Sequence, residues 1–269
     1  MPLASANGQN RQSISGFSQN ILRNIIFGDI AIMNKKLQVC LTPALLPLYK
    51  IEDSIVVVID IFRATTSICY GIENGAAAII PVSKVEECSA YREIECDYLL
   101  AAERDGAIVD GFDFGNSPFS YTADKVAGKT IVLTTTNGTH ALHLSRAAKK
   151  IIIGSFLNLT SVCNWLKDQQ ENILLVCSGW KNNFNLEDTL FAGAVVEQLQ
   201  DGNFSPDDPA IAANDLYNLA KADLDGYLKK TSHSERLKAL GIERDIAFCL
   251  NVDTTTAIPV LKGDKLVKL

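Results

Sequence analysis

The sequence predicts an α/β protein in which helices cover both faces of a mostly parallel central sheet, giving three α/β/α layers and a short β-rich C-terminal tail. Two observations predict this class. Short apolar runs of strand length alternate along the chain with segments whose apolar residues recur at the helical period. The strand runs, such as "SIVVVI" at 54–59, are also apolar without interruption, as expected for parallel strands covered on both faces.

The predicted elements follow one another in the order that a layered fold requires. Apolar runs of strand length occupy residues 37–42, 54–60, 76–82, 97–103, 129–135, 148–155 and 172–179. Helical patterns occupy residues 65–74, 84–93, 139–147, 159–169 and 186–200, and a further helical stretch spans 208–231 before the tail at 258–269. No internal repeat or linker interrupts this series, so we expect a single domain over residues 33–269.

Residues 1–32 differ in composition from the rest of the chain. They are polar and rich in Ser, Asn and Gln, and they lack the apolar core of a secretory signal. Met1 and Met33 are the two methionines of the sequence. We therefore expect residues 1–32 to be either a disordered leader or the product of a misassigned start, with the domain beginning near Met33.

Composition argues against several classes of partner. The 31 acidic residues outnumber the 25 Lys and Arg residues, which gives a net charge of −6, and no basic stripe with interleaved aromatic residues is present. Nucleic acid is therefore not an expected partner. No apolar run approaches the roughly 20 residues of a membrane span. The seven cysteines are scattered without CxxC spacing, so we expect buried, reduced thiols and a cytoplasmic protein that binds no membrane.

Polar clusters follow four of the predicted strands. "IFRATT" follows the strand at 54–60, "RDG" and "GFDFGNSP" follow 97–103, "TTTNGT" follows the "KTIVL" at 129–133, and "WKNNFNLED" follows 172–179. Ligands of parallel sheets bind beyond the carboxyl ends of the strands. The repetition of hydroxyls, amides and acids at four strand ends therefore indicates one site at that edge of the sheet.

The "TTTNGT" segment has two interpretations. Asn137 and Gly138 alone are typical of a tight hairpin turn. The "HALHLSRA" that follows has helical rather than strand periodicity, which instead predicts a strand, a turn and a helix start. Free backbone N–H groups at a helix N-terminus, beside the hydroxyls of Thr135, Thr136 and Thr139, would form an anion site.

The acids near these strand ends also have alternatives. Asp60 closes an apolar strand, where a buried carboxylate gains little unless it is paired or bound to a cation. A structural ion pair between Asp60 and Arg63 is the alternative to a functional role. Glu187 and Asp188 follow Asn185, a candidate N-cap, and acids in a first helical turn stabilise the helix dipole, so capping is the alternative there.

The combined motifs carry a resemblance to a known family. "VVVIDIFRATTSI", "ERDGAIVDGFDFGNSP", "TTTNGTHAL", "GSFLN" and "CSGWKNNFNLEDTLFAG", in this order, resemble the 2-phosphosulfolactate phosphatases, magnesium-dependent enzymes of coenzyme M biosynthesis. The similarity covers nearly everything after about Leu37. It implies an α/β/α fold, a Mg²⁺ requirement, and hydrolysis of 2-phospho-3-sulfolactate to 3-sulfolactate and phosphate. The matching positions are Asp60, Arg63, Thr65, Thr66, Glu103, Asn116, Ser117, Thr136, Asn137, Gly138, Glu187 and Asp188.

The resemblance and the chemistry together give expected roles. Mg²⁺ prefers one or two carboxylates with waters and phosphate oxygens, and the expected metal ligands are Asp60, Glu103 and Asp188. The expected catalytic residues are Asp60, Arg63, Glu103, Glu187 and Asp188. The expected ligands of a small anionic, phosphorylated substrate are Arg63, Thr65, Thr66, Asn116, Ser117, Thr135, Thr136, Asn137, Gly138 and Thr139.

The identity of the nucleophile is also an expectation. No cysteine, histidine or Asp-x-Asp nucleophile is evident, so a water activated by the metal is expected to attack phosphorus instead of a protein side chain. Two rival functions remain open: a metal-dependent lyase or isomerase acting on a phosphorylated or sulfonated acid, and a non-catalytic anion-binding protein. Enzymes of this type and size are often homo-oligomers, and the sequence leaves the oligomeric state open.

Overall fold

An eleven-stranded sheet forms the middle of the protein in the computed structural model, which describes residues 35–94, 97–200 and 203–269. The expected leader at 1–32 and the expected start at Met33 lie outside these residues. The strands are β1 (Lys35–Cys40), β2 (Ser54–Ile59), β3 (Ala78–Pro81), β4 (Tyr98–Arg104), β5 (Ala107–Ile108), β6 (Thr130–Thr134), β7 (Lys150–Gly154), β8 (Asn172–Cys177), β9 (Phe204–Pro206), β10 (Pro259–Lys262) and β11 (Lys265–Lys268).

The order of the strands divides the sheet into two parallel blocks. It reads β5-β4-β6-β3-β11-β10-β7-β2-β8-β1-β9. All pairs from β7 to β9 are parallel, as are β3 with β6 and β6 with β4. The antiparallel hairpin β10–β11 joins the blocks by pairing with β7 on one side and β3 on the other. The β-rich tail is therefore confirmed, and it occupies the centre of the sheet.

Ten helices lie in the described residues and connect most of the strands. They are α1 (Ala64–Glu73), α2 (Val85–Ala90), α3 (Ala123–Val126), α4 (Gly138–Leu144), α5 (Leu159–Lys167), α6 (Leu186–Gln198), α7 (Asp208–Ala220), α8 (Leu224–Leu228), α9 (Ser232–Ala239) and α10 (Glu243–Cys249). The predicted helical stretch at 208–231 is divided, because Asp223 leaves the helical conformation and its side chain accepts the N–H of Gly226 to begin α8. Helices α3, α9 and α10 were not predicted.

The central strand β2 explains the three layers. Its side chains point alternately to the two faces of the sheet. Ile55, Val57 and Ile59 pack in one apolar core with α5 and α6, whereas Val56 and Val58 pack in a second core with α1 and α4. Each such buried side chain contributes on the order of 1.5–3 kcal/mol relative to an exposed one, so both faces hold helices and the α/β/α arrangement is confirmed.

The described cysteines are free thiols, and all six are buried: Cys40, Cys69, Cys88, Cys163, Cys177 and Cys249. Burial raises the pKa of the Cys69 and Cys249 thiols to about 12, so these groups remain protonated near neutral pH. Within the described ranges, each helix is too short or too polar to cross a membrane.

Candidate active site

One cavity of about 490 Å³ collects residues from four strand ends and from α9. Its walls come from the segments after β2, β6 and β8, from the β4–β5 turn, and from the loop before residue 118. The lining residues are Asp60, Phe62, Arg63, Glu103, Asp105, Gly106, Asn116, Asn137, Trp180, Lys181, His233, Arg236, Leu237, Ala239 and Leu240. The polar clusters that the sequence places after different strands therefore meet at this cavity.

Asp60 follows β2 directly and lies under the start of α4. Its main-chain N–H donates to Thr65 Oγ1 at 3.0 Å, which fixes the turn into α1. A Cβ atom on Gly138 would lie 2.8 Å from Asp60 Oδ2 and 2.7 Å from Ala64 Cβ, so only glycine fits there. Burial and then the nearby Glu103 charge raise the pKa of Asp60 to about 7. This carboxyl is therefore only partly ionised near neutral pH, and a nearby cation would favour its ionised form.

Arg63 is buried in the cavity wall by two strong contacts. Its Nη1 donates to Asp245 Oδ2 at 2.5 Å and its Nη2 donates to the carbonyl of Gly106 at 2.6 Å, whereas Nε has no partner in the described residues. The ion pair of Arg63 forms with Asp245, so the alternative pair with Asp60 is wrong. Asp245 lies 182 residues further along the chain, and no local motif indicates this pairing.

Glu103 connects two loops of the site by hydrogen bonds. Its Oε1 accepts the N–H of Gly106 at 2.6 Å and the hydroxyl of Thr136 at 3.2 Å, and its Oε2 accepts the N–H of Thr136 at 3.0 Å. Gly106 has φ +91°, and a Cβ there would lie 2.6 Å from Leu240 Cδ1. Glu103 thus lines the cavity and also holds the β4–β5 turn against the loop after β6.

The "TTTNGT" loop ends in a helix, so the hairpin alternative is wrong: α4 begins at Gly138 directly after this loop. The N–H groups of Thr135 and Thr139 each donate to the hydroxyl of the other at 3.2 Å, which closes the loop internally. Asn137 lines the cavity, and its Oδ1 accepts the N–H of Lys181 at 3.0 Å. The expected anion site at this loop stays a prediction.

The other expected substrate ligands divide into two groups. Thr65 and Thr66 are fully buried in the first turn of α1, where the Thr66 hydroxyl donates to the carbonyl of Ile61 at 3.0 Å, and neither lines the cavity. Ser117 precedes the short 3₁₀ turn Pro118–Ser120 and also lies outside the lining. Asn116 does line the cavity, and its buried Oδ1 has no partner in the described residues.

Asp188 joins the ends of two strands. Its Oδ1 accepts the N–H of Ile61 at 2.8 Å, and its Oδ2 accepts the N–H of Gly179 at 3.1 Å and Nδ2 of Asn185 at 3.0 Å. Burial, followed by the charges of Asp60 and Glu187, raises the pKa of Asp188 well above its usual range, while these hydrogen bonds oppose the shift. Asp188 is fully buried and lies outside the cavity lining.

The Glu187 side chain contacts other side chains, those of Asn185 and His233. Its fully buried Oε1 accepts Nδ2 of Asn185 at 3.0 Å and binds Nδ1 of His233, and its Oε2 has no partner in the described part of the chain. Asn185 is the N-cap residue of α6, but its side chain makes no cap hydrogen bond. Capping alone therefore does not account for either acid of the "NLED" segment.

The structure adds His233 and Arg236, two cavity residues that the sequence did not indicate. His233 lies on α9 with its ring 6.0 Å from Phe62 and 5.3 Å from Trp180, centre to centre. Arg236 lies one turn later, with its guanidinium 4.4 Å from the centre of the Trp180 ring. A histidine therefore lines the cavity, and the expectation of a metal-activated water instead of a protein nucleophile stays a prediction. The only sequence signal was a lone histidine in a polar stretch, "TSHSERLK".

The carboxylates of the cavity fit a magnesium ion only in part. Within the described residues, no group of three or more His, Cys, Asp or Glu side chains is arranged to hold a metal. Mg²⁺ in phosphate sites commonly uses one or two carboxylates, with waters and phosphate oxygens completing the shell. Asp60 and Glu103 are two such groups in one cavity, and their mutual repulsion raises the Asp60 pKa. Asp188 does not share that cavity.

Comparisons with known proteins agree on one family. A model of the family described as 2-phosphosulpholactate phosphatase matches residues 40–264. A probable 2-phosphosulfolactate phosphatase of Thermotoga petrophila is 42% identical over 215 residues, which cover 80% of this chain and 92% of that protein. Proteins with the same description from Caldanaerobacter subterraneus subsp. tengcongensis and Gloeobacter violaceus are 40% and 39% identical, covering 79% and 81% of this chain and 90% and 92% of theirs.

Proposed function

Because this chain belongs to the 2-phosphosulfolactate phosphatase family, we propose that its cavity binds 2-phospho-3-sulfolactate and hydrolyses it to 3-sulfolactate and phosphate. The protein is a phosphatase, as its family and relatives indicate. The observation that carries the choice of site is the charge pattern of one cavity, where the carboxyls of Asp60 and Glu103 share the space with the guanidinium groups of Arg63 and Arg236.

Magnesium is the proposed cofactor, with Asp60 and Glu103 as the residues that would hold it. When bound, Mg²⁺ would neutralise phosphate charge and make water a stronger nucleophile. The Glu103 charge contributes to the raised pKa of Asp60, and a cation between the two carboxyls would remove this repulsion. Asp188 serves this site indirectly in our proposal, by holding the backbone from which Asp60 projects.

Arg63 is the proposed phosphate ligand. Its contacts with Asp245 and Gly106 fix the guanidinium before substrate arrives, and Nε remains free of protein partners. A planar, preorganised guanidinium is well suited to phosphoryl oxygens. Because the group is already immobile, binding requires little further loss of side-chain freedom. The Asn116 Oδ1 atom is an additional unpartnered acceptor in this wall.

The leaving group of this reaction needs a proton. Water attacks phosphorus, the bond from phosphorus to the ester oxygen breaks, and that oxygen, still bonded to its secondary carbon, departs as an alkoxide unless it is protonated. We assign this proton to His233, whose Nδ1 is engaged by Glu187 so that Nε2 is the nitrogen available for transfer. The products are the hydroxy acid and phosphate, which carries the oxygen of the water.

The cellular context of the reaction is part of the same proposal. The substrate of the family belongs to coenzyme M biosynthesis, and we propose that step for this chain. A cytoplasmic location is supported by the free, buried thiols of the described residues. A homo-oligomer is proposed on size and enzyme class alone.

Phosphate release from 2-phosphosulfolactate tests the proposed function. Release that stops on addition of a chelator and returns with Mg²⁺ supports a magnesium-dependent phosphatase. Consumption of the substrate without release of phosphate would support a lyase or isomerase instead. Binding without turnover would support a non-catalytic anion-binding protein.

A further inference from the structure

We infer that Arg236 determines substrate specificity by binding an anionic group of the substrate that does not react, its carboxylate or its sulfonate. The inference rests on the proposed function, because it concerns the tail of that substrate. Arg236 lies on α9 and lines the same cavity as Asp60 and Arg63. It comes from a different element than Asp60 and Arg63, and it lies one turn after His233 on α9.

The charge balance of the cavity indicates Arg236 for this role. Arg63 is neutralised by Asp245 at 2.5 Å, and Lys181 pairs with Asp105 at 2.8 Å. Arg236 has no carboxylate partner among the described residues, and its buried Nε has no hydrogen-bond acceptor there. A partly buried cation without a partner is costly. An oxyanion in the cavity would supply both a negative charge beside the Arg236 guanidinium and a hydrogen-bond acceptor for its Nε.

The geometry of Arg236 favours an oxyanion over other ligands. Its guanidinium is held 4.4 Å from the Trp180 ring centre, which limits its rotation and leaves its edge for hydrogen bonding. That edge presents N–H groups in a fixed fork, which matches the paired oxygens of a carboxylate or sulfonate. A phosphorylated sulfonated hydroxy acid has two such groups beside its phosphate, whereas a simple phosphate ester has none.

The test compares two substrates in three variants. The substrates are 2-phosphosulfolactate and isopropyl phosphate, which keeps the secondary ester and lacks both tail groups. Arg236→Met should lower kcat/KM for the first by roughly 10²-fold, the scale of a lost charged hydrogen bond in a buried site, and leave the second within about twofold. Arg236→Lys should fall between, because it keeps charge without the fork. Arg244→Met is the matched control, since Arg244 stacks on Phe119 at 4.0 Å but does not line the cavity.

The ratio of kcat/KM for the two substrates distinguishes a role of Arg236 in substrate binding from a structural role. Equal losses on both substrates, or no loss on either, would overturn the inference. Analogues that lack only the sulfonate or only the carboxylate identify the bound group, because the analogue that has lost it no longer responds to Arg236→Met. Thermal unfolding of each variant shows that the fold is kept, and Arg236→Lys carries the test if the methionine variant unfolds.

A binding measurement keeps the inference independent of turnover. Calorimetry with 3-sulfolactate should show binding to the wild type and to Arg244→Met, and binding weaker by roughly 10²-fold to Arg236→Met. If the wild type binds 3-sulfolactate through Arg236 yet releases no phosphate from the ester, the proposed function fails and the inference stands. If phosphate is released and Arg236→Met binds 3-sulfolactate normally, the inference fails alone.

Discussion

Glu187 and His233, which are 46 residues apart in the sequence, meet through Glu187 Oε1 and His233 Nδ1, and of the two only His233 lines the cavity. The first residue comes from the start of α6 and the second from the start of α9. A carboxylate that accepts from Nδ1 fixes the tautomer and the orientation of the imidazole. The pair therefore couples a fully buried acid to a ring that reaches the site.

His233→Asn should lower kcat by roughly 10²-fold or more, the scale of a lost general acid. Glu187→Gln should lower it less, and the double variant should be little worse than His233→Asn, because the two residues act as one unit. Steady-state kcat of the three variants checks this. His143→Asn is the control, since His143 is on α4 and does not line the cavity. Additive losses would show that the two residues act separately.

Asp188→Asn should destabilise the protein by about 1–3 kcal/mol, because an amide cannot accept all of the three hydrogen bonds that the carboxylate accepts. Urea unfolding checks the change in stability. The remaining folded protein should keep a kcat within about tenfold of wild type, unlike a residue that transfers a proton. A normal stability with a loss of kcat by 10²-fold would return Asp188 to the metal site, as the sequence suggested.

Gly138→Ala should damage the site more than the fold. The added Cβ would lie 2.8 Å from Asp60 Oδ2 and 2.7 Å from Ala64 Cβ, so the Asp60 carboxyl must move. We expect a loss of kcat of roughly 10²-fold, since misplacement near the reacting atoms by about 1 Å has that scale. Gly111→Ala is a useful contrast, because Gly111 has φ +79° with open space around it. That variant should lose stability while kcat stays near normal.

Asp60→Asn should fold and lose most of its activity, together with its dependence on Mg²⁺. An amide is a weaker ligand for Mg²⁺ than a carboxylate, and it cannot accept a proton from water. Phosphate release across a Mg²⁺ titration checks both effects. A normal kcat at saturating Mg²⁺ would remove Asp60 from the metal site and leave Glu103 as its remaining carboxylate in the cavity.

The raised pKa of Asp60 also predicts how the stability of the metal-free protein depends on pH. Its pKa rises from the ordinary 3.8 to about 7 in the folded protein, so the folded state binds more protons than the unfolded state between these values. The stabilisation is full below about pH 4 and is lost as pH rises through 7. In the presence of chelator, wild type should therefore lose stability relative to Asp60→Asn over this window, at most about 1.4 kcal/mol per pH unit. If the unfolding free energies of the two proteins change with pH in the same way, the raised pKa of Asp60 is contradicted.

The sequence predicted the elements whose signal is local. The strand at 54–60 is apolar without interruption, and it forms β2 at the centre of a parallel block. Helix α9 was not predicted because its eight residues are mostly polar, and only His233, Ser234 and Leu237 are buried. The pairing of Val260 with Ile152 and of Leu266 with Ile79 joins distant segments, and no local pattern specifies it.

The same distinction applies to the candidate site. The motifs identified Asp60, Arg63, Glu103, Asn116 and Asn137, which line the cavity. They also identified residues that do not line it: Thr65, Thr66, Ser117, Thr135, Thr136, Gly138, Thr139, Glu187 and Asp188. A hydroxyl that closes a turn and one that binds a ligand look alike in a sequence. Only the partners of each atom distinguish them. His233 and Arg236 stand outside every motif, because their role depends on where α9 packs.

The central hairpin has a consequence for protein synthesis. The ribosome makes both parallel blocks before it reaches residues 259–268, and until then β3 and β7 each have one side without a partner strand. Exposed strand edges are templates for pairing with other chains. The nascent protein therefore carries two open edges while residues 155–258 are made, and one late insertion closes both. A stall or cleavage before Pro259 would leave two separate half-sheets. The yield of correctly folded enzyme in a cell therefore depends on the synthesis of β10 and β11.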